Sequence, residues 1–357
     1  METVEEVVIV GAGICGLTTA LGLHSVLVTS TFLEKPIAEV SYKGHEIRCV
    51  QRKLLLETLA NELPSGTIRF SSKVVSIEEE SGFFKRIHLA NGAIIKTKVL
   101  IGCDGVKSVV AKWLGFEKPV FTGRSAVRGT AKFEGHGHGF GPKYSQFVGK
   151  GVRSGFLPCD DDTVYWFMNY WTPSTKDHKE LKKDPAKLKQ FATNKLQDTS
   201  DEMKSVMEKT SLDGIVSSPL KCRKPWELLW GNISKGNVCV AGDALHPMTP
   251  DLGQGGCSAL EDGVILARCL AQALLKSSAG GEEEIDEHKR IEMGLKNFAQ
   301  ERRWRSFDLV STSYMVGFIQ QNNGKMMNFF RDKFLSKFLS GLLLSKANYD
   351  CGKLAYY

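Results

Sequence analysis

Three short apolar runs punctuate the chain: Val7–Val10, Val99–Cys103 and Val238–Ala241. Unbroken runs rich in β-branched residues suit strands buried on both faces of a parallel sheet. The first run leads into GAGICG and the helix-compatible LTTALGLH, and Val26 to Leu33 then reads as a second strand ending at Glu34. That pattern predicts a compact β-α-β unit. Residues 48–63 place Leu55, Leu59 and Leu63 on one helical face. Thr67–Glu79 and His88–Ala90 alternate like strands, and Asn91-Gly92 is a tight-turn dipeptide, so a hairpin or meander is expected before the run at Val99.

From about 123 to 172 glycine, aromatic and alternating residues dominate, as in TVYWFMNYW, which predicts antiparallel sheet. Residues 176–210 are Lys-rich with helical spacing and read as a solvated helix face. After Val238–Ala241 two helices are predicted, over 257–276 and about 284–318. The tail from Asn328 is basic and amphipathic, which fits either packing on the core or contact with a membrane surface.

Composition narrows the classes. The 357 residues are 42% hydrophobic and 24% charged, an ordinary globular balance. The net charge of +7 is scattered and suits anionic small molecules. No basic motif with interleaved aromatics is present, so no nucleic-acid partner is expected. Nine cysteines at irregular spacing include no CxxC pair, which argues against a zinc site and for buried, reduced thiols. Acidic residues stand where a targeting segment would carry basic ones, and no apolar run reaches spanning length. A cytoplasmic protein without stable membrane insertion is the expectation.

The candidate chemistry sits at the ends of the three runs. Gly11, Gly13 and Gly16 form GxGxxG between a strand and a helix, where glycines allow a tight turn, close pyrophosphate approach and close helix packing. The positive end of the following helix favours phosphate. Glu34 lies where a carboxylate binds a ribose diol. Asp104-Gly105 and Gly242-Asp243 each end a strand, placing an acid at the crevice outside a sheet. Pro250, Gly253 and Gly255 then offer bare backbone at a helix start, whose amides favour negative charge on a flat ring.

GAGICG, CDGVKS and AGDALHPMTPDLGQGG, in this order and spacing, resemble the single-component FAD-dependent aromatic hydroxylases. The full chain is most similar to a plant branch of that family related to zeaxanthin epoxidase. The resemblance implies an α/β fold: a Rossmann-like FAD-binding domain (1–122 and 219–300), an interleaved antiparallel substrate domain (123–218) and C-terminal helices (301–357). It implies that Gly11, Gly13 and Gly16 bind the FAD pyrophosphate, Glu34 the adenosine ribose, and Arg52 the FAD. Asp104 and Gly105 would line FAD and a transient NADPH. Gly242 and Asp243 would hold the ribityl or pyrophosphate region, and Pro250, Gly253 and Gly255 the isoalloxazine. The implied reaction uses NADPH and O2 and transfers one oxygen atom to a small apolar or aromatic substrate through a flavin C4a-hydroperoxide.

Two departures stand against the family pattern. Only Lys35–Ile47 joins the ribose acid to the arginine helix, where the family carries several dozen residues, so the chain reads as internally shortened. The second motif has Ala111 beside Lys112 where an arginine is usual. These keep open a catalytically impaired isoform acting as a non-enzymatic binding protein, and a flavin reductase or dehydrogenase on the same fold. No general base is assigned. His246 fits either local hydrogen bonding or a general acid. Tyr165, Trp166, Phe167 and Trp171 are candidate pocket residues, although alternation sends half of them to the core.

Overall fold

The computed structural model describes residues 2–29, 49–80, 83–135, 137–141, 143–149, 151–172, 181, 183–275, 283–321, 341–342 and 345–354. Two sheets organise them. In the first, β1 (Glu2–Val10) runs parallel to β4 (Ile94–Gly102), with Val7 opposite Val99 and Val10 opposite Gly102. The other edge of β4 is shared. Its first half pairs antiparallel with β3 (Lys85–Leu89), and its last three residues pair parallel with β11 (Val238–Val240). The outer strands are β2 (Val74–Glu79) on β3 and β10 (Ser234–Lys235) on β11. The expected meander is therefore present, and Gly92 turns it with a φ of 82° that suits glycine.

Two sequence expectations fail here. Helix α1 (Ile14–Thr29) runs through Val26–Thr29, where a strand was predicted. A helix already three turns long carries a few β-branched residues in its last turn, because propensity differences there are only tenths of a kcal/mol. Residues 30–48, with Glu34 among them, lie outside the described residues. Val7–Val10 are half-buried rather than enclosed, whereas Leu100 and Ile101 of β4 are fully buried. The cause is topological. Strand β4 has neighbours on both edges, while β1, among the described residues, pairs with β4 alone. Helix α2 (Arg52–Asn61) matches the predicted span but buries none of its residues.

The second sheet is antiparallel in the order β6 (Ser145–Gly149), β7 (Val152–Pro158), β8 (Thr163–Trp171), β5 (Val120–Lys132), β9 (Thr210–Cys222). One face is apolar. Val127, Phe156, Val164, Trp166 and Met168 pack against Leu188 and Ala192 of α4 (Pro185–Lys195) and Met203 and Val206 of α5 (Asp201–Glu208). Asp184 and Ser200 cap these two helices through side-chain oxygens. The register sets Gly155 opposite Phe167 and Arg153 opposite Asn169, so the other face carries polar and aromatic groups.

The remaining helices tie the sheets together. They are α3 (Val109–Trp113), α6 (Pro225–Trp230), α7 (Gly255–Leu275) and α8 (Glu283–Gln321). Helix α7 lies tightly on α1: a Cβ at Gly263 would stand 2.6 Å from the Thr18 Cβ, and one at Gly22 2.5 Å from the Ala267 Cβ. Leu266, Leu270, Ile291, Leu295 and Phe298 join β4 and β11 in the first core. Helix α8 is continuous across residues 300 and 301.

Candidate active site

The three motifs meet at the carboxyl ends of β1, β4 and β11. Gly11 turns the chain out of β1 at a φ of 110°, and a Cβ there would lie 2.4 Å from the Cys103 carbonyl oxygen. A Cβ on Gly16 would lie 1.9 Å from the Gly11 oxygen, so this pair admits no side chain. Gly13 faces open space at the start of α1. The fingerprint thus divides as its mechanics require: two glycines for close packing, one for approach by a ligand.

The second motif is locked to the first. Cys103 N donates to Val10 O at 2.8 Å. The Asp104 carboxylate is engaged with its own turn, accepting from Ser108 Oγ at 2.5 Å and Val109 N at 2.7 Å. Ser108 Oγ accepts in turn from Ala111 N, capping α3. Gly105, at a φ of 76°, faces open space. Asp104 therefore frames the turn that presents Gly105.

The third motif docks on both. Ala241 N donates to Gly102 O at 3.0 Å, and a Cβ on Gly242, which has a φ of 60°, would press on Cys15 Cβ at 2.8 Å. Asp243 is exposed while Gly242 and Ala244 on either side of it are buried. A buried network beneath fixes this turn. Asp262 Oδ2 accepts from Gly242 N at 2.6 Å and lies 2.7 Å from His246 Nε2, and Asp262 Oδ1 accepts from Arg302 Nε at 2.6 Å. Arg302 also reaches Glu261 at 2.7 Å, and Arg305 binds the other oxygen of that carboxylate. Burial alone would raise the Asp262 carboxyl. His246, Arg302 and the Gly242 amide outweigh it and hold the group at about 2. His246 is fully buried and spends Nε2 on this network, so it braces the turn rather than facing a pocket.

The turn Pro250–Leu252 leads to Gly253, at a φ of 67° and facing open space, and Gly255 begins α7. Within that turn, Asp251 is fully buried and pairs with two arginines of the second sheet: Arg124 Nη2 to Oδ2 and Arg153 Nη1 to Oδ1, each 3.0 Å. Arg153 also reaches Gln146 and Tyr144 and lies over the Phe167 ring. Gly317 of α8 makes room for the clamp, since a Cβ there would fall 2.1 Å from Asp251 Oδ2. The sequence reading missed both networks, because their partners are far apart in the chain. The one local signal was the acidic pair Glu261-Asp262 at the head of the apolar run GVILA.

Of the aromatic candidates, Trp166 is core, with Nε1 donating to Thr210 Oγ1 at 2.8 Å. Tyr165 and Phe167 lie on the polar face, and Trp171 is exposed. Arg52 stands exposed at the first position of α2. A cleft of about 380 Å³ runs along β1, lined by Val7–Val10, Gly11, Gly16, Leu63 and Ile87 among others. Among the described residues no His, Cys, Asp or Glu cluster could hold a metal.

An FAD fits these residues. Gly13, Gly105 and Gly253 offer open backbone and Asp243 a solvent-facing acid, on a frame where Gly11, Gly16 and Gly242 leave no room for a Cβ. A model described as FAD binding domain matches residues 49–290. The chain belongs to this FAD-dependent monooxygenase family. As a family member it is an oxidoreductase. It is similar to Monooxygenase 2 of Arabidopsis thaliana, at 52% identity over 404 residues covering 98% of each chain. That span exceeds the 357 residues here, so the relative carries dozens of positions without a counterpart. The chloroplastic zeaxanthin epoxidase of Prunus armeniaca is 31% identical over 72% of this chain and 37% of its own. Klebsiella pneumoniae HpxO, solved with FAD and uric acid, shares the fold at a TM-score of 0.73 and 19% identity, covering 97% of this chain and 96% of that one.

Proposed function

We propose that this monooxygenase takes electrons from NADPH and inserts one oxygen atom of O2 into a small apolar or aromatic substrate. The observation that carries the proposal is the convergence of three glycine turns, one from each motif, with open backbone at Gly13, Gly105 and Gly253. When bound, FAD supplies hydride acceptance and oxygen activation. Gly13 with the start of α1 receives the pyrophosphate, on the turn that Gly11 and Gly16 close, and Asp243 the ribityl chain. The amides at the start of α7, behind Gly253 and Gly255, face the ring and favour negative charge there. Arg52 and Gly105 complete the FAD contacts. The FAD unit comprises 1–122 and 219–300, and residues 123–218 form the substrate unit. The polar face bearing Tyr165, Phe167 and Arg153 orients substrate and limits water.

No helix among the described residues is long and apolar enough to cross a membrane. We place the enzyme in the cytoplasm. Anaerobic titration with NADPH, followed by flavin absorbance on protein reconstituted with FAD, tests the reading. Stoichiometric bleaching, then labelled oxygen in product on admission of 18O2, is expected. Bleaching without labelled product would make the chain a flavin reductase. The half-buried β1 and the unburied α2 favour one second reading, an impaired isoform that binds without turnover. It predicts failure to retain FAD through gel filtration.

A further inference from the structure

Cys49 precedes α2, which packs beside α1, and Cys159 lies in the turn between β7 and β8 of the second sheet. Their Sγ atoms are nevertheless 3.2 Å apart. Both side chains are half-buried, within reach of a small solute. Gln51 Nε2 donates to Asp160 Oδ2 across the same junction at 3.5 Å, so the two segments run side by side. A thiolate at Cys159 is favoured by the Cys49 S–H and by the Tyr165 backbone, and Cys49 is raised in turn. The other close pair behaves differently. Cys15 and Cys103 are 3.6 Å apart but enclosed beneath the three motifs, and Cys15 is raised by its hydrogen bond to Cys103 and by burial.

We propose that Cys49 and Cys159 form a peroxide-reactive dithiol that closes to a disulfide between the segment ahead of α2 and the β7–β8 turn. The Cys159 thiolate attacks one oxygen of hydrogen peroxide. The O–O bond breaks, the departing hydroxide takes a proton to become water, and Cys159 is left as a sulfenic acid. The Cys49 sulfur then attacks Cys159 Sγ. The S–S bond forms, the S–O bond breaks, and the leaving hydroxide takes the Cys49 proton as a second water. The two thiols lose two electrons and two protons, and peroxide is reduced to two waters. Closing the 3.2 Å gap to a bond needs a shift of about 1 Å, within reach of side-chain rotation. The cross-link would tie the segment entering the Arg52 helix to the β7–β8 turn.

The test uses the full chain, treated with hydrogen peroxide, alkylated and digested with trypsin. The expected product joins the Cys49–Arg52 peptide to the Ser154–Lys176 peptide and disappears on thiol reduction. Cys49→Ser and Cys159→Ala abolish it, while Cys257→Ser, which removes the exposed thiol, keeps it. Oxidation raises the melting temperature of the parent chain by about 5 °C, because a long loop is closed, and leaves the Cys159→Ala chain unshifted. The proposal is overturned if both thiols stay open to alkylation, if Cys159 proceeds to sulfinic acid without the linked peptide, or if the only new bond joins Cys257 of two chains.

Discussion

Asp262 shows how one fully buried carboxylate holds a turn of the candidate site from beneath. It gathers the Gly242 amide, His246 and Arg302, and so fixes the backbone that carries Asp243. Its folded value, about 2, lies below its unfolded value near 3.8. The stability it contributes is therefore fully present above pH 3.8 and is lost as pH falls towards 2. Asp262→Asn removes the charge opposite a buried Arg302 and is expected to destabilise the protein by about 3 kcal/mol at neutral pH. Urea unfolding at a series of pH values checks both claims, because the variant should show a flatter profile than the parent across that acid window. An unchanged profile in the variant would assign the acid sensitivity elsewhere. The partners of Asp262 were not legible in the sequence. Arg302 follows it by 40 positions, and spacing along a chain does not report which helices pack.

At the scale of elements, the Asp251 clamp joins β5 and β7 to the turn before α7. Asp251→Ala would leave two arginines buried without their carboxylate, a loss of about 3–5 kcal/mol. It should also release the turn that precedes Gly253, so FAD affinity should fall at least about tenfold, an effect of roughly 1.4 kcal/mol. Denaturant unfolding and flavin fluorescence titration measure the two effects separately. A stability loss without weaker flavin binding would confine the clamp to scaffolding. Strand β1 makes a second prediction at this scale. Its amides should exchange with deuterium faster than those of β4, whose two edges are both paired. Equal protection would mean that the second edge of β1 is covered. Much of this level was readable in advance, because the glycine turn after β1, the Asn91-Gly92 turn and the apolar runs are local signals. The extent of α1 was not, since Val26–Thr29 suit either state and only the preceding helix decides.

The described residues form two large apolar cores and a small third cluster of Leu252, Leu309 and Val316, in a chain dozens of residues shorter than its 52% identical relative. Order and spacing of the motifs made the family legible. How a shortened chain covers β1 depends on packing that no motif encodes. A chimera whose segment between Glu34 and Arg52 is replaced by the corresponding segment of Monooxygenase 2 should retain FAD more tightly and melt at a higher temperature. Calorimetry and the flavin-to-protein absorbance ratio after gel filtration test this. A chimera no better than the parent would show that the short form is already complete.

Helix α8 has a mechanical consequence. Its 39 residues make a rod about 58 Å long. Near one end Gly294 is seated on the backbone of Cys269, where a Cβ would come within 2.8 Å of the carbonyl oxygen, and near the other Gly317 makes room for Arg124 and Asp251. A tilt of a few degrees about the Gly294 pivot is multiplied along the lever into a displacement at the Gly317 tip, where the second sheet is hooked. The seat at Gly294 and the clamp at Gly317 are thus held on one rigid body, so loosening either glycine contact would be felt at the other.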